Sequence, residues 1–165
     1  MIILLLKSND IIMNVNPTLS ASIKGTTAMT LFSYTVSALK QKNFKEPDLL
    51  GSFVDRTFPN LNIKESKAAG WILHYSVGYA FSVVYMQALK HSNIKPTILN
   101  GFIAGAISSV PALLFWYSIF KLHPNPPKKY FKDYLGHLVL AHFVFGAFTF
   151  LGYKNSKQVA GNNYV

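Results

Sequence analysis

Cysteine is absent from the 165 residues, and aspartate and glutamate together number six. The first absence excludes disulfide frameworks, thiolate metal sites and cysteine nucleophiles, and leaves the redox compartment open. The second, set against 16 lysines and arginines, gives a net charge of +10, yet charged residues make up only 13% of the chain. That is about half the share expected of a soluble globular domain. The basic residues stand singly at the edges of apolar stretches, so they read as membrane-flanking charge and not as a nucleic-acid footprint. Phosphate-binding glycine loops, nucleophile elbows and nucleotide motifs are missing. Acids are also missing from the apolar stretches, which removes the carboxylates of a hydrolytic or di-iron site; Asp133 is the acid that neighbours a histidine.

What the chain has is apolar length. Half of its residues are hydrophobic, and the mean hydropathy of +0.24 is held down by polar segments outside three long runs. Ala68 to Leu89, Ile98 to Phe120 and Leu135 to Tyr153 contain no Asp, Glu, Lys or Arg. A helix needs roughly 19 or more such residues to cross a hydrocarbon core about 30 Å thick. Lysines bracket each run, in the pairs Lys67 and Lys90, Lys95 and Lys121, and Lys132 and Lys154. Trp71, Tyr85, Trp116, Tyr117, Tyr130, Tyr134 and Tyr153 mark the same borders, as an aromatic belt does.

Leu19 to Leu39 predicts a fourth span, first in chain order. It contains Lys24, close enough to its start to snorkel. Thr26, Thr30, Ser33 and Ser37 recur at helical spacing and so share a face that should point into a bundle. The expected fold is therefore all-α, a polytopic transmembrane four-helix bundle over residues 18–154, with spans near 19–39, 68–89, 98–120 and 134–153. Residues 1–17 read as a disordered extension, with Met1 or Met13 as the start. Residues 155–165 read as a loose polar tail.

In the first loop, Glu46, Pro47 and Asp48 form a helix-start signal ahead of Leu49, Leu50, Phe53, Val54 and Phe58, which fall on one helical face. This predicts a short amphipathic helix over Pro47 to Phe58, lying on the membrane or against the bundle and stopped by Pro59. Asn62 and Glu65 have capping-box spacing. The short Lys90 to Pro96 connection predicts that the second and third spans are antiparallel neighbours, and His123 to Pro127 reads as a stiff turn. Lys40, Lys42, Lys45, Arg56, Lys64, Lys67, Lys121, Lys128, Lys129 and Lys132 flank one side of the spans, against Lys7, Lys24, Lys90, Lys95, Lys154 and Lys157 on the other. The positive-inside rule then places both termini outside.

Three histidines lie at lipid depth: His74, His137 and His142. An imidazole there is costly unless it faces protein or water. They are the candidate cofactor-binding residues, for a metal or haem held between helices. The competing reading, an interhelical hydrogen bond from a neutral ring, is favoured for His74. His137 and His142 stand about 140° apart on a regular helix and cannot chelate one ion together. His74 is expected to meet the fourth span, with His137 the favoured partner and His142 the reserve. Gly101, Gly105 and Ser109 form a small-xxx-small series for close helix packing, to which Gly78 and Gly146 are added. Pro111 should kink its helix, with Ser108 placed to compensate the freed carbonyl.

Gly70-Trp71-Ile72-Leu73-His74-Tyr75 with Gly78 and Tyr85, then Gly101 and Gly105, then Tyr134, His137, Ala141-His142 and Gly146, resembles small uncharacterised four-span inner-membrane proteins of bacteria. The resemblance implies architecture and a bacterial inner-membrane location, and no activity. Two functional readings stand. One is a non-enzymatic structural, accessory or transporter-like bundle; the alternative is a metal- or haem-binding redox protein or enzyme. Membrane lipids are the implied partner. Cofactor, catalytic residues, and a homo-oligomer or larger complex stay open.

Overall fold

The computed structural model describes residues 16–122 and 131–161. Among them are five helices and no strand: α1 (Pro17–Lys40), α2 (Glu46–Thr57), α3 (Ile63–Ser92), α4 (Ile98–Leu122) and α5 (Phe131–Gly161). The expectations for residues 1–15 and for the His123 to Pro127 turn fall outside the described residues.

Local chemistry sets the helix starts. The Asn16 side chain accepts from the Thr18 backbone N–H and Pro17 opens α1. Pro47 and the acids Glu46 and Asp48 open α2. Asn62 and Glu65 close a reciprocal capping box on α3. Both α1 and α3 end on a left-handed residue, Gln41 and Asn93, each with φ of 51°.

Among the described residues, two helices are long and apolar enough to cross a membrane, Ile98–Lys121 in α4 and Phe131–Lys157 in α5. The first and second expected spans form helices but fall short of that measure, for a local reason. Hydroxyl side chains occupy the interior stripe of α1, and α3 carries a charged first turn before its apolar part. The tail expected to be loose after Lys154 instead continues α5 to Gly161, and Ser156 ties it to α1 by donating to Ser20 Oγ at 3.0 Å.

The helices pack in the order α4, α5, α1, α3, with α2 against α3 and its side chains reaching α1, α4 and α5. Backbone approach holds the α4–α5 seam, where Gly101 and Gly105 face Gly146 and the His142 carbonyl. A second seam joins α2 to α3: a Cβ on Gly70 would overlap the Pro47 carbonyl and the Gly51 backbone. The short amphipathic helix thus lies against the bundle, burying Leu49 and Phe53, and Phe53 reaches Trp116 and Phe120 of α4 at centroid distances of 5.7 and 5.6 Å.

Although five residues join α3 to α4, the two are not packed neighbours along their length, contrary to the expectation from loop length. They meet where the Tyr85 hydroxyl reaches Ser108 Oγ and the Ala104 carbonyl, and separate beyond it, because the glycine face of α4 is turned to α5. Ser108 donates to the Gly105 carbonyl at 3.1 Å, so it does not serve the carbonyl that Pro111 frees. At the polar edge, Lys42 and Asp133 form an ion pair between the end of α1 and the start of α5.

Candidate functional site

The hydroxyl ladder of α1 organises the polar interior. Ser22, Thr26, Thr30, Ser33 and Ser37 are all buried, and two helices deliver histidines to this ladder. His74 from α3 meets Thr30: Nε2 and Oγ1 are 2.9 Å apart. Because Thr30 donates its single proton to the Thr26 carbonyl at 2.7 Å, the His74 Nε2 must be the donor, leaving Nδ1 with its lone pair. The expected partner on the fourth span is therefore replaced by a hydroxyl on the first. Helix phase placed His74 inward but could not fix which neighbour it faced.

His137 from α5 lies between Phe32 and Phe44, stacked on both at centroid distances of 5.3 and 4.7 Å. Its Nε2 is 2.9 Å from Ser33 Oγ, and Ser33 donates to Glu46 Oε1, also at 2.9 Å. Glu46, the first residue of α2, is itself buried. The acid closest to a histidine is thus Glu46 and not Asp133, with 3.7 Å between His137 Nε2 and Glu46 Oε1. The three side chains are the types of a serine triad but are wired differently. The serine sits in the middle with its proton directed to the carboxylate, and the imidazole donates to it, whereas a nucleophile requires the imidazole to accept from the serine. The knot joins α1, α2 and α5 and does not activate Ser33.

His142 donates Nδ1–H to the Leu138 carbonyl of its own helix at 2.8 Å, which leaves the lone pair on Nε2. Its ring sits edge-on to Phe81 at 5.9 Å. The three expected cofactor ligands consequently occupy two environments: His137 in the Ser33–Glu46 knot, His74 and His142 along a common cavity. Among the described residues no three His, Cys, Asp or Glu side chains come together as a metal site.

That cavity has a volume of about 340 Å³ and lies between α3 and α4, where they diverge, with α1 and α5 behind it and Glu46 and Leu50 of α2 at one end. Its walls are aromatic and aliphatic, among them Phe81, Phe115, Trp116 and Phe145; its polar points are Thr26, Glu46, His74 and His142. Of the packing residues expected from sequence, Gly78 lines the cavity and the others lie elsewhere. Gly101, Gly105 and Gly146 form the α4–α5 seam, Gly78 meets Thr26 of α1, and Ser109 is buried with its hydroxyl donated to the Ala106 carbonyl.

Thr30 and Ser33 were legible as inward-facing but not as the partners of His74 and His137, and neither Glu46 as a buried acceptor nor Gly51 as the contact of Gly70 was read. Glu46 carried a signal, an acid in the first turn of an amphipathic helix that buries Leu49 against its neighbours. Comparison with protein-family models, with characterised proteins and with solved structures finds no match.

The His74 to Thr30 bond is a single neutral contact, so His74→Ala is expected to lower the unfolding free energy in detergent by about 1 kcal/mol while the chain still folds. Denaturant titration of helicity reads the difference.

Proposed function

We propose that the chain is a four-span integral membrane protein, with α1 and α3 crossing alongside α4 and α5, and that it works as a non-enzymatic, accessory or transporter-like bundle. The observation that carries this reading is an inversion of polarity. On α1 the interior holds Ser33 at 0% and Thr26 at 1% exposure, while Leu31 at 63% and Leu39 at 79% face outward. On α4, Leu99, Ile103, Ile107, Val110 and Leu114 form one exposed stripe at helical spacing. In water the arrangement would cost the hydrophobic gain of a folded core, whereas in lipid the apolar stripe is solvated and the hydroxyls find partners only inside.

The redox or metal alternative has less behind it. His74 and His137 each spend Nε2 on a hydroxyl, and His137 lies in a separate knot from the other two. Visible absorption and metal analysis of the purified protein discriminate the two readings.

On the four-span reading, even passage number puts both termini on one side, and the basic flanks put them outside, in a bacterial inner membrane as the sequence resemblance implies. Single cysteines can be introduced cleanly because the chain has none. Cysteines at Asn14 and Asn163 are expected to react with an impermeant maleimide in intact cells, and one at Lys64 only after permeabilisation. Opposite behaviour of Asn14 and Asn163 would overturn four spans.

A further inference from the structure

We propose that the cleft between α3 and α4 binds an uncharged, lipid-soluble ring compound bearing a hydroxyl group, which enters sideways from the membrane; the inference rests on the four-span reading. The cleft volume of about 340 Å³ falls within the range of small-molecule sites, roughly 300 to 1,000 Å³. Its rim is apolar and exposed at Leu73, Val77 and Phe115, on the surface assigned to lipid, so a ligand dissolved in the bilayer reaches it without passing through water.

Of the polar groups inside, the two histidines call for a donor, and the Thr26 hydroxyl can donate to or accept from the same ligand hydroxyl. His74 and His142 are 6% and 5% exposed, and both line the cleft. Thr30 takes the proton of His74 Nε2 and the Leu138 carbonyl takes that of His142 Nδ1, so each ring keeps one nitrogen that can only accept. Neither of those nitrogens is hydrogen-bonded among the described residues. Each can accept from a ligand hydroxyl that reaches it across the cleft. No lysine or arginine lines the cleft, which disfavours a phosphate head group. Phe81, Trp116 and Phe145 offer faces and edges to a ring.

The chain's two tryptophans allow a direct test. Trp116 lines the cleft, whereas Trp71 lies outside it among Tyr34 and Tyr75. In lipid nanodiscs, Trp71→Phe leaves Trp116 as reporter and Trp116→Phe leaves Trp71 as a measure of simple partitioning. The probes are 4-bromophenol, its methyl ether 4-bromoanisole, which cannot donate, and 4-bromophenyltrimethylammonium. The phenol is expected to quench Trp116 at a concentration on the order of tenfold lower than the ether does, and to show no such preference at Trp71. His142→Phe should remove the preference. Equal quenching of Trp116 by phenol and ether, stronger quenching by the ammonium, or the same response at Trp116 and Trp71 would each overturn the proposal. The comparison of phenol with ether in Trp71→Phe decides even if His142→Phe does not fold. Cysteine labelling at Asn14, Asn163 and Lys64 tests the topology without any probe, which separates failure of the topology from failure of the site.

Discussion

Gly105→Leu is expected to unfold the bundle in a detergent that keeps the parent folded. The contact at Gly105 is with backbone: a Cβ there would overlap the His142 carbonyl oxygen, fall 2.8 Å from its carbon and 2.9 Å from Phe143 Cα. No rotamer change relieves an overlap with main chain, so α4 must withdraw from α5. Withdrawal would also separate Gly101 from Gly146, where a Cβ on Gly101 would lie 2.6 Å from the Gly146 oxygen. Overpacking of an ordinary core costs about 1 to 3 kcal/mol because side chains yield; here the loss should reach or exceed about 3 kcal/mol, since the whole seam opens. Two controls separate this cause from a general intolerance of the helices. Leu114→Ile, at a position 63% exposed, should change stability little. Gly136→Ala should be neutral or stabilising, because nothing lies within 4 Å of the added carbon and alanine is the better helix former by about 1 kcal/mol. A melting midpoint of Gly105→Leu equal to the parent's would show that the seam is not closely packed.

Gly105 and Gly136 also mark where sequence reading reaches its limit. The small-xxx-small spacing around Gly105 pointed to a close contact, and the helices themselves were legible from apolar length, hydroxyl spacing and caps. Periodicity assigns residues to a face of one helix but leaves the rotation and neighbour of that face undetermined. His74 was read as inward and lies inward, yet its partner is Thr30 of α1 and not the fourth span. Loop length predicted contact between α3 and α4, but the glycines of α4 were engaged by α5, and the separation that results is the cleft. Gly51 and Gly70 were unreadable as a pair because they stand on different helices and meet only once α2 folds back on α3.

Glu46→Ala is expected to cost about 3 kcal/mol, several times the loss from His74→Ala, although both residues are buried and polar. Glu46 is at 2% exposure and accepts from Ser33, whose oxygen in turn receives the His137 Nε2 proton. Removing the carboxylate leaves the Ser33 proton without its acceptor and frees the orientation of Ser33 on which His137 depends, so two buried groups lose their wiring together. Hydrogen bonds to a charged group are worth about 1.5 to 3 kcal/mol, against roughly 1 for a neutral pair. Position adds to the effect. As first residue of α2, Glu46 also meets the positive end of that helix, and its loss loosens the segment that packs Leu49 and Phe53 against the bundle. Glu46→Gln should recover part of the loss, since its amide oxygen can still accept from Ser33 while the charge is gone. His137→Phe should cost less than Glu46→Ala, because phenylalanine keeps the stack with Phe32 and Phe44 and leaves the Ser33 to Glu46 bond intact. The order of losses in one denaturant series, Glu46→Ala above Glu46→Gln and above His137→Phe, tests the wiring; an equal loss for Glu46→Ala and His74→Ala would place Glu46 outside the structural knot.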